Sequence, residues 1–426
     1  MAETPDQLPT PPHDNEPAAG GPADHPGNPL AGFVIKNGWL QQVKPGYQPA
    51  LPAAEELAEL AEHFRAVTDA ISLARVLNAA LELHRKQHPK GSPKTVSPGL
   101  LLYYAHHKKE RYQTFQVPKR TRGQFRDIKA PEHGLRRIQR LLLLCLTAAF
   151  TTCDEAAHGF VPGRSVLTNA QTHAGRRFVL NLDLKDFFPS TRVGRVLKVL
   201  QLEPFDLPKE AAHLIANLCC DQGSLPQGAP TSPLLTNVVC VWLDRKLRAL
   251  AKRHRCHYTR YADDITFSSQ RPAFTAAFQA ELNAVLVDEG YEQNPAKQRL
   301  QTPETRQEVT GVVVNERPNV PREFVQDIRF LLHVWQKHGY AAASKAMGQN
   351  YGGSKAHARY RGNIPKLEKV LAGKIAYLGM VRGKKGIVYA SLYEQLQDLN
   401  GVTALHILEE LTIIGLQVEF DKNQNL

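Results

Sequence analysis

Apolar residues along the chain recur with two periods. From Ala53 to about Leu83 they fall at helical spacing on Leu57, Leu60, Ala61, Phe64, Val67, Ile71, Leu73, Val76, Leu77 and Leu81, which predicts a helical N-terminal extension. The same period over Leu135, Ile138, Leu141, Leu142, Leu144 and Cys145 predicts a helix from His133 to about Phe150. Further helices are expected over about 233–250 and 274–289, and from Pro321 onward on Phe324, Ile328, Leu331, Leu332 and Trp335. A last amphipathic stretch covers about 391–416. Period-two alternation is confined to short runs. Phe178-Val-Leu-Asn-Leu-Asp183 reads as a half-buried strand ending on a carboxylate, and Val312-Val-Val-Asn315 as a buried one. Two more strands flank Ala262-Asp263-Asp264, which makes a hairpin with carboxylates at its tip. The pattern is that of an α+β protein.

Composition bounds this picture. The 426 residues suffice for two or three domains and a large core. Residues 1–32 are rich in Pro, Gly, Ala and acids with almost no large apolar side chains, so they are expected to form a disordered tail. The net charge is +12, and the five acids of residues 1–35, which hold no Lys or Arg, leave +17 on the rest. That surplus favours a polyanionic partner. No apolar run reaches the roughly 18 residues of a membrane span, so a soluble, cytoplasmic protein is expected. The six cysteines show no Cys-x-x-Cys spacing and read as reduced thiols.

Candidate chemistry centres on the acids. Adjacent carboxylates repel each other and are gathered most easily around a hard divalent cation. An isolated Asp-Asp pair is more often a solvated turn, but Asp183 at a strand end, with Asp263 and Asp264 at a hairpin tip, is the arrangement that holds two metal ions for phosphoryl transfer. Between them lies Gln222-Gly-Ser-Leu-Pro-Gln227-Gly-Ala-Pro-Thr-Ser-Pro233, a shaped loop in which Thr231 or Ser232 can cap the next helix. Tyr112–Pro131 reads as a hairpin with a basic Gly-containing loop, suited to laying cations over phosphates. Ser165 can open a short helix that puts Asn169 and His173 on one face. From Tyr351 to Lys385 there are nine Lys or Arg and one acid, with Tyr351, Tyr360 and Tyr377 among them. Such a run suits contact with a nucleic-acid duplex, with a solvated helix face as the rival reading.

Four stretches in order, Asp183 with Phe187-Phe188, Leu225-Pro-Gln-Gly-Ala-Pro-Thr-Ser-Pro233, Tyr261-Ala-Asp-Asp264 and Gly290…Asn294…Lys297, resemble the palm motifs of reverse transcriptases. The resemblance is strongest over about 110–320. Asn169-Ala-Gln-Thr-His173 and Val309-Thr310-Gly311 make it most similar to bacterial retron reverse transcriptases.

The resemblance implies a right-hand polymerase: a disordered tail (1–32), a helical basic N-terminal extension (33–110), fingers and palm (111–318) and a helical basic RNA-binding thumb (319–426). It implies that Asp183, Asp263 and Asp264 hold two Mg²⁺ ions. It further implies that Lys119 and Arg126 meet the phosphates of the incoming dNTP, although Arg126 stands about one residue further from Lys119 than the family pattern. Phe187 and Phe188 would lie at the sugar, with Phe188 blocking a 2′-hydroxyl, Gln227 beside that sugar, and Lys297 as proton donor or charge partner. RNA contact is implied for Asn169, His173, Val309, Thr310 and Gly311, and for Lys355, Arg359 and Arg361 in the thumb. The implied partner is a structured non-coding RNA serving as template and primer, with synthesis starting from a guanosine 2′-hydroxyl to give branched RNA–DNA (msDNA) and an RNA–DNA duplex. Anti-phage defence with a separate effector protein is the implied setting. A group II intron-like reverse transcriptase and a non-catalytic RNA-binding scaffold of the same fold are the rival readings; the former often adds a Cys/His nuclease segment that has no counterpart here.

Overall fold

A computed structural model describes residues 33–36, 39–42, 53–87, 94–107, 111–118, 125–351 and 365–401. The expected disordered tail lies outside the described residues. The chain divides into two compact units, Met1–Pro45 and Gly46–Leu426. In the first, β1 (Phe33–Lys36) and β2 (Trp39–Gln42) pair as an antiparallel hairpin.

The second unit opens with α1 (Ala54–Arg65) and α2 (Ala70–Gln87). The apolar period runs through both, yet the helix breaks at 66–69, where Asp69 Oδ1 accepts the backbone N–H groups of Ile71 and Ser72 and starts α2 afresh. Then follow α3 (Pro98–His106), the hairpin β3 (Tyr112–Pro118) and β4 (Phe125–Pro131), and α4 (His133–Ala149). The helices α5 (Val166–Gln171), α6 (Phe187–Ser190), α7 (Val193–Leu200), α8 (Lys209–Cys219), α9 (Ser232–Val239) and α10 (Val241–Arg253) alternate with β5 (Phe178–Asp183). Leu60, Phe64, Leu77, Ile138, Leu142, Phe205 and Ile215 belong to one core. A single apolar core therefore spans both sides of position 110, the boundary implied by the resemblance. The helix expected over 233–250 is divided at Cys240, and its start carries no side-chain cap from Thr231.

β6 (His257–Tyr261) and β7 (Asp264–Ser269) precede α11 (Ala276–Asp288), and β8 (Arg299–Gln301) completes a four-stranded antiparallel sheet of order β6-β7-β5-β8. Strand alternation sorts β5 between two cores. Leu180 and Leu182 face α10 and α11 with Leu247, Phe267 and Phe278, whereas Val179 joins the opposite core. That second core takes in β9 (Glu308–Val309), β10 (Val312–Val313), α12 (Arg322–Tyr351) and α13 (Leu367–Arg382). α12 is interrupted at Gly339, whose φ of +81° is outside the helical region. Residues 387–401 are helical. Among the described residues no helix is long and apolar enough to cross a membrane.

The Asn169 and Val309–Gly311 elements meet on this side of the sheet. Asn169 Nδ2–H donates to Thr310 Oγ1 at 3.4 Å, and both Asn169 and Val309 are fully buried. His173 is also fully buried; its Nδ1 and Nε2 lie 2.7 Å from Ser268 Oγ and Thr259 Oγ1. All three side chains are buried, and the hydrogen bonds of Asn169 and His173 tie the α5 segment to the palm sheet and the β9–β10 turn. Thr310 and Gly311 form the β9–β10 turn, both at positive φ, with Gly311 exposed.

Arg260 lies in the centre of β6 on the core-facing side, with no exposed surface. Its Nε–H and Nη2–H donate to the two carboxylate oxygens of Asp244 on α10 at 2.8 and 2.7 Å, and its Nη1–H donates to Asn237 Oδ1 at 3.1 Å. Tyr258 Oη–H donates to the same Asp244 at 2.7 Å. Removing one partner of such a pair strands a desolvated charge. Asp244→Ala is therefore expected to lower stability by about 3–5 kcal/mol, read by chemical denaturation; a loss under about 1 kcal/mol would contradict the buried pairing.

Burial pushes the His173 pKa down to about 3, helped by the charges of His257, His158 and Arg176, and burial followed by the charge of Arg164 pushes His158 to about 4. Both folded values lie below the ordinary 6.5, so the unfolded chain binds more protons in between. Stability should be full above about pH 6.5 and fall as pH drops toward 4. Measured against wild type by chemical denaturation, His173→Gln should lose less stability as pH falls from about 6.5 to 4; parallel pH profiles for the two proteins would show that this ring is not buried neutral.

Candidate active site

The tip of the β6–β7 hairpin is a two-residue turn, Ala262-Asp263, closed by the pair Tyr261↔Asp264. Ala262 takes a φ of +57°, a left-handed conformation that disfavours residues with a Cβ by about 1–2 kcal/mol. Two contacts impose it. Arg260 Nη1–H donates to the Ala262 carbonyl at 3.3 Å. From the other side the segment through Gly159 presses so close that a Cβ there would stand 2.4 Å from the Ala262 nitrogen. Only glycine lets this cover fit.

β5 sets Asp183 directly opposite Asp264. Leu184 N–H donates to the Asp263 carbonyl at 2.9 Å and Asn294 N–H to the Asp183 carbonyl at 2.8 Å. Strand pairing thus brings Asp183, distant in sequence, to the adjacent pair Asp263-Asp264 at one end of the sheet.

Their electrostatics match the crowding. Burial, then the charge of Asp183, raises the Asp263 pKa, while Lys297 and Arg126 pull it down. Asp264 is pushed up to about 7 by its poorly solvated surroundings, then by the charges of Asp263 and Asp183. Lys297, on the short 3₁₀ turn Pro295–Lys297, places its Nζ 2.6 Å from Asp183 Oδ1. Among the described residues no three His, Cys, Asp or Glu side chains stand converged as a finished metal cage. The donor set nevertheless fits a hard divalent cation: carboxylate oxygens, mutually repelling, with Lys297 as the sole direct counter-charge among the described residues.

The Gln222–Pro233 loop is bound to both neighbours. Leu225 N–H donates to the Thr191 carbonyl at 3.0 Å, just past the Phe187-Phe188 turn, and Lys129 N–H of β4 donates to the Gln227 carbonyl at 2.9 Å. Gly228, at φ +131°, approaches β4 so closely that a Cβ would lie 2.8 Å from the Lys129 carbonyl oxygen. Lys129 Nζ–H donates to Asp221 Oδ2 at 2.9 Å and Gln222 Oε1 at 2.7 Å. The fingers hairpin and the loop are therefore one coupled unit, and Gln227 is half-buried at their seam.

Phe188 is half-buried and tilted against Phe160 at 6.2 Å. Phe187 is 4% exposed, packed on Tyr291 at 5.9 Å with the Arg260 guanidinium 6.0 Å from its ring centroid. Phe187 thus packs in the core, and Phe188 is the more accessible ring of the two. Arg126 is exposed on β4. Lys119, Lys355, Arg359 and Arg361 lie outside the described residues.

Sequence reading missed Arg260, Asp244, Gly159 and Lys129. A signal for the first two exists. Tyr258, Arg260 and Ala262 share one strand face, so the arginine falls on a core position, and Asp244 interrupts the apolar stripe Cys240, Leu243, Leu247, Leu250 of the preceding helix. A charge at a core position of one element calls for its opposite on another.

The family model for reverse transcriptase (RNA-dependent DNA polymerase) matches residues 117–331, which include all three carboxylates. The chain is 39% identical over 280 residues to the retron Mx65 reverse transcriptase of Myxococcus xanthus, covering 61% of this chain and 65% of that protein. With the retron Mx162 reverse transcriptase of the same organism it shares 38% over 275 residues, 56% of each chain. The match thus spans less than two thirds of either Myxococcus protein. With the retron Ec86 reverse transcriptase of Escherichia coli the identity is 30% over 305 residues, covering 69% of this chain and 93% of that one. The carboxylate-tipped palm and these matches together make the chain a member of the reverse transcriptase family, within its bacterial retron branch.

Proposed function

We propose that this protein is an RNA-directed DNA polymerase of the retron type, extending DNA from dNTPs on a structured non-coding RNA. The observation that carries the reading is the direct pairing of Asp183 with Asp264 beside Asp263, in a chain of this family. Reverse transcriptase domains generally work with divalent metal, and we assign Asp183, Asp263 and Asp264 as the ligands of two Mg²⁺ ions. When bound, these ions would lower the pKa of the primer hydroxyl and stabilise the charge of the triphosphate.

The chain's own residues supply the rest. Lys297 neutralises Asp183 and would supply a proton or charge to the departing pyrophosphate. Arg126, whose field acts on Asp263, and Lys119 would hold the triphosphate. Phe188 would bar a 2′-hydroxyl sterically, and Gln227 would flank the same sugar. Thr310 and Gly311, on their exposed turn, and the thumb cations Lys355, Arg359 and Arg361 are the proposed RNA contacts. Priming from a guanosine 2′-hydroxyl to give branched msDNA, and a role in anti-phage defence beside a separate effector, complete the reading.

Protein copurified with its RNA from a host carrying the neighbouring DNA should, with dNTPs and Mg²⁺, make template-encoded DNA joined to RNA through a linkage that debranching enzyme cleaves. The Asp263→Ala, Asp264→Ala variant should make none. DNA made on any primed RNA would remove the branched priming and keep the polymerase; RNA bound without DNA synthesis in either protein would point to a scaffold.

The raised Asp264 pKa gives a metal-free signature. Because the folded value lies above the ordinary 3.8, the native state binds more protons between about pH 4 and 7, so this group takes stability away as pH rises through that window. In EDTA, Asp264→Asn should gain on wild type in melting temperature as pH goes from 5 to 8. Added Mg²⁺ should raise the wild-type melting temperature more at pH 8 than at pH 5.5. Equal Mg²⁺ shifts at both pH values would argue against a carboxylate site that must ionise to bind.

A further inference from the structure

Beside the hairpin tip, Phe160 combines an unfavourable backbone with a large ring that the core does not claim. Its φ is +61°, in the left-handed region that is uncommon for any residue with a Cβ and most costly for bulky ones. The ring is 47% exposed, so burial of its own apolar surface does not explain why a phenylalanine stands where glycine would fit without strain. Such a conformation persists only where the surroundings over-determine it, and it clusters at sites that select or clamp a ligand.

The surroundings here are the network that fixes the carboxylate turn. Ala157 forms a parallel bridge with Arg260, in which His158 N–H donates to the Arg260 carbonyl and Arg260 N–H to the Ala156 carbonyl, each at 2.7 Å. Arg164 Nη1–H donates to the carbonyls of Asp154 and Ala157, each at 2.5 Å, and so folds the segment back on itself. Asn237, which accepts from Arg260 Nη1–H, donates from its own Nδ2–H to the Gly159 carbonyl at 2.9 Å. Phe160 is the next residue, so its ring stands on a rigid mount. That ring meets Phe188 with centroids 6.2 Å apart and planes at 47°, within the range of attractive aromatic pairs. Among the described residues Phe188 is its one aromatic partner. Phe187 is the second ring against Phe188, at 5.5 Å and 62°, and it is held in the core. Phe188 thus touches one buried ring and one exposed ring.

A ring bars a hydroxyl only while it cannot turn away, since free rotation reduces the clash to the cost of a rotamer change. We propose that Phe160 is a positioning residue for sugar selection, bracing the Phe188 ring against the rotation that a ribonucleotide's 2′-hydroxyl would force on it. The inference rests on the reading of Phe188 as the ring that bars this hydroxyl.

Single-nucleotide insertion by the full-length protein on a DNA primer annealed to an RNA template, with a dNTP and its matching rNTP, tests it through the ratio of the two kcat/KM values. Phe160→Ala and Phe160→Gly should lower that ratio about 2- to 10-fold, the worth of one aromatic pair, chiefly by raising kcat/KM for the ribonucleotide. Phe160→Tyr, which keeps the ring, should keep the ratio. The glycine variant relieves the positive φ, so it reads the loss of the ring even if the alanine variant folds poorly. A purely structural role would slow both insertions together and leave the ratio at the wild-type value, which would overturn the proposal. Phe188→Ala tests the underlying reading in the same assay. Lost selectivity in Phe188→Ala with a wild-type ratio in both Phe160 variants would keep the barrier at Phe188 and remove the brace; a wild-type ratio in Phe188→Ala would remove both. Because Phe160 acts through Phe188, adding Phe160→Gly to Phe188→Ala should lower the ratio no further.

Discussion

A guanidinium with no exposed surface governs the geometry of this palm. Withdrawing Arg260 from water would cost several kcal/mol, and the loss is offset only because each of its nitrogens finds an acceptor: both oxygens of Asp244, Asn237 Oδ1 and the Ala262 carbonyl. The last of these matters most for chemistry. A hairpin tip is ordinarily the loosest part of a sheet, yet here its carbonyl is bonded to a charge anchored in the core. Gly159 closes over the same tip from outside. The left-handed Ala262 is held by its surroundings rather than chosen by its own propensity, and the carboxylates on either side inherit a fixed position.

That rigidity is what makes crowding three acids tolerable. A flexible tip would let Asp263 and Asp264 swing apart into solvent and relieve their repulsion. Held in register with Asp183, they instead carry raised pKa values, with Lys297 as the one cation bonded directly to the cluster among the described residues. The site therefore keeps an excess of negative charge that a divalent cation is suited to fill.

Much of this was legible in the chain, and the reasons are physical. Period-two alternation located β5, β6 and β7 because each buries one or both faces, and turn chemistry located the tip. Helices α4 and α11 followed from apolar spacing. What was not legible depended on tertiary partners. The apolar period of 53–83 continues through a break that only the Asp69 cap creates. Phe187 and Phe188 are chemically identical neighbours, and only the path of the chain sends the first under Arg260 and leaves the second accessible. Asn169 and His173, polar and on one helix face, read as surface groups. The His173 partners Thr259 and Ser268 come from two other strands, and a ring so supplied is as comfortable inside as out; Asn169 donates to Thr310, but its buried Oδ1 finds no partner among the described residues.

The fingers show the same principle at longer range. The β3–β4 hairpin extends from a core of N-terminal helices, but its inner strand is bonded to the loop carrying Gln227, through the Lys129 amide, the Lys129 ammonium and the close approach of Gly228. That loop is bonded in turn to Thr191, whose hydroxyl lies 3.3 Å from that of Tyr291 beneath Phe187. A displacement of the fingers strand must therefore be taken up along a chain of short bonds that ends beside the carboxylates. Close packing has no slack to absorb it. Arg126 rides on this strand and contributes a lowering charge at Asp263, so the position of the hairpin is felt at the carboxylate tip.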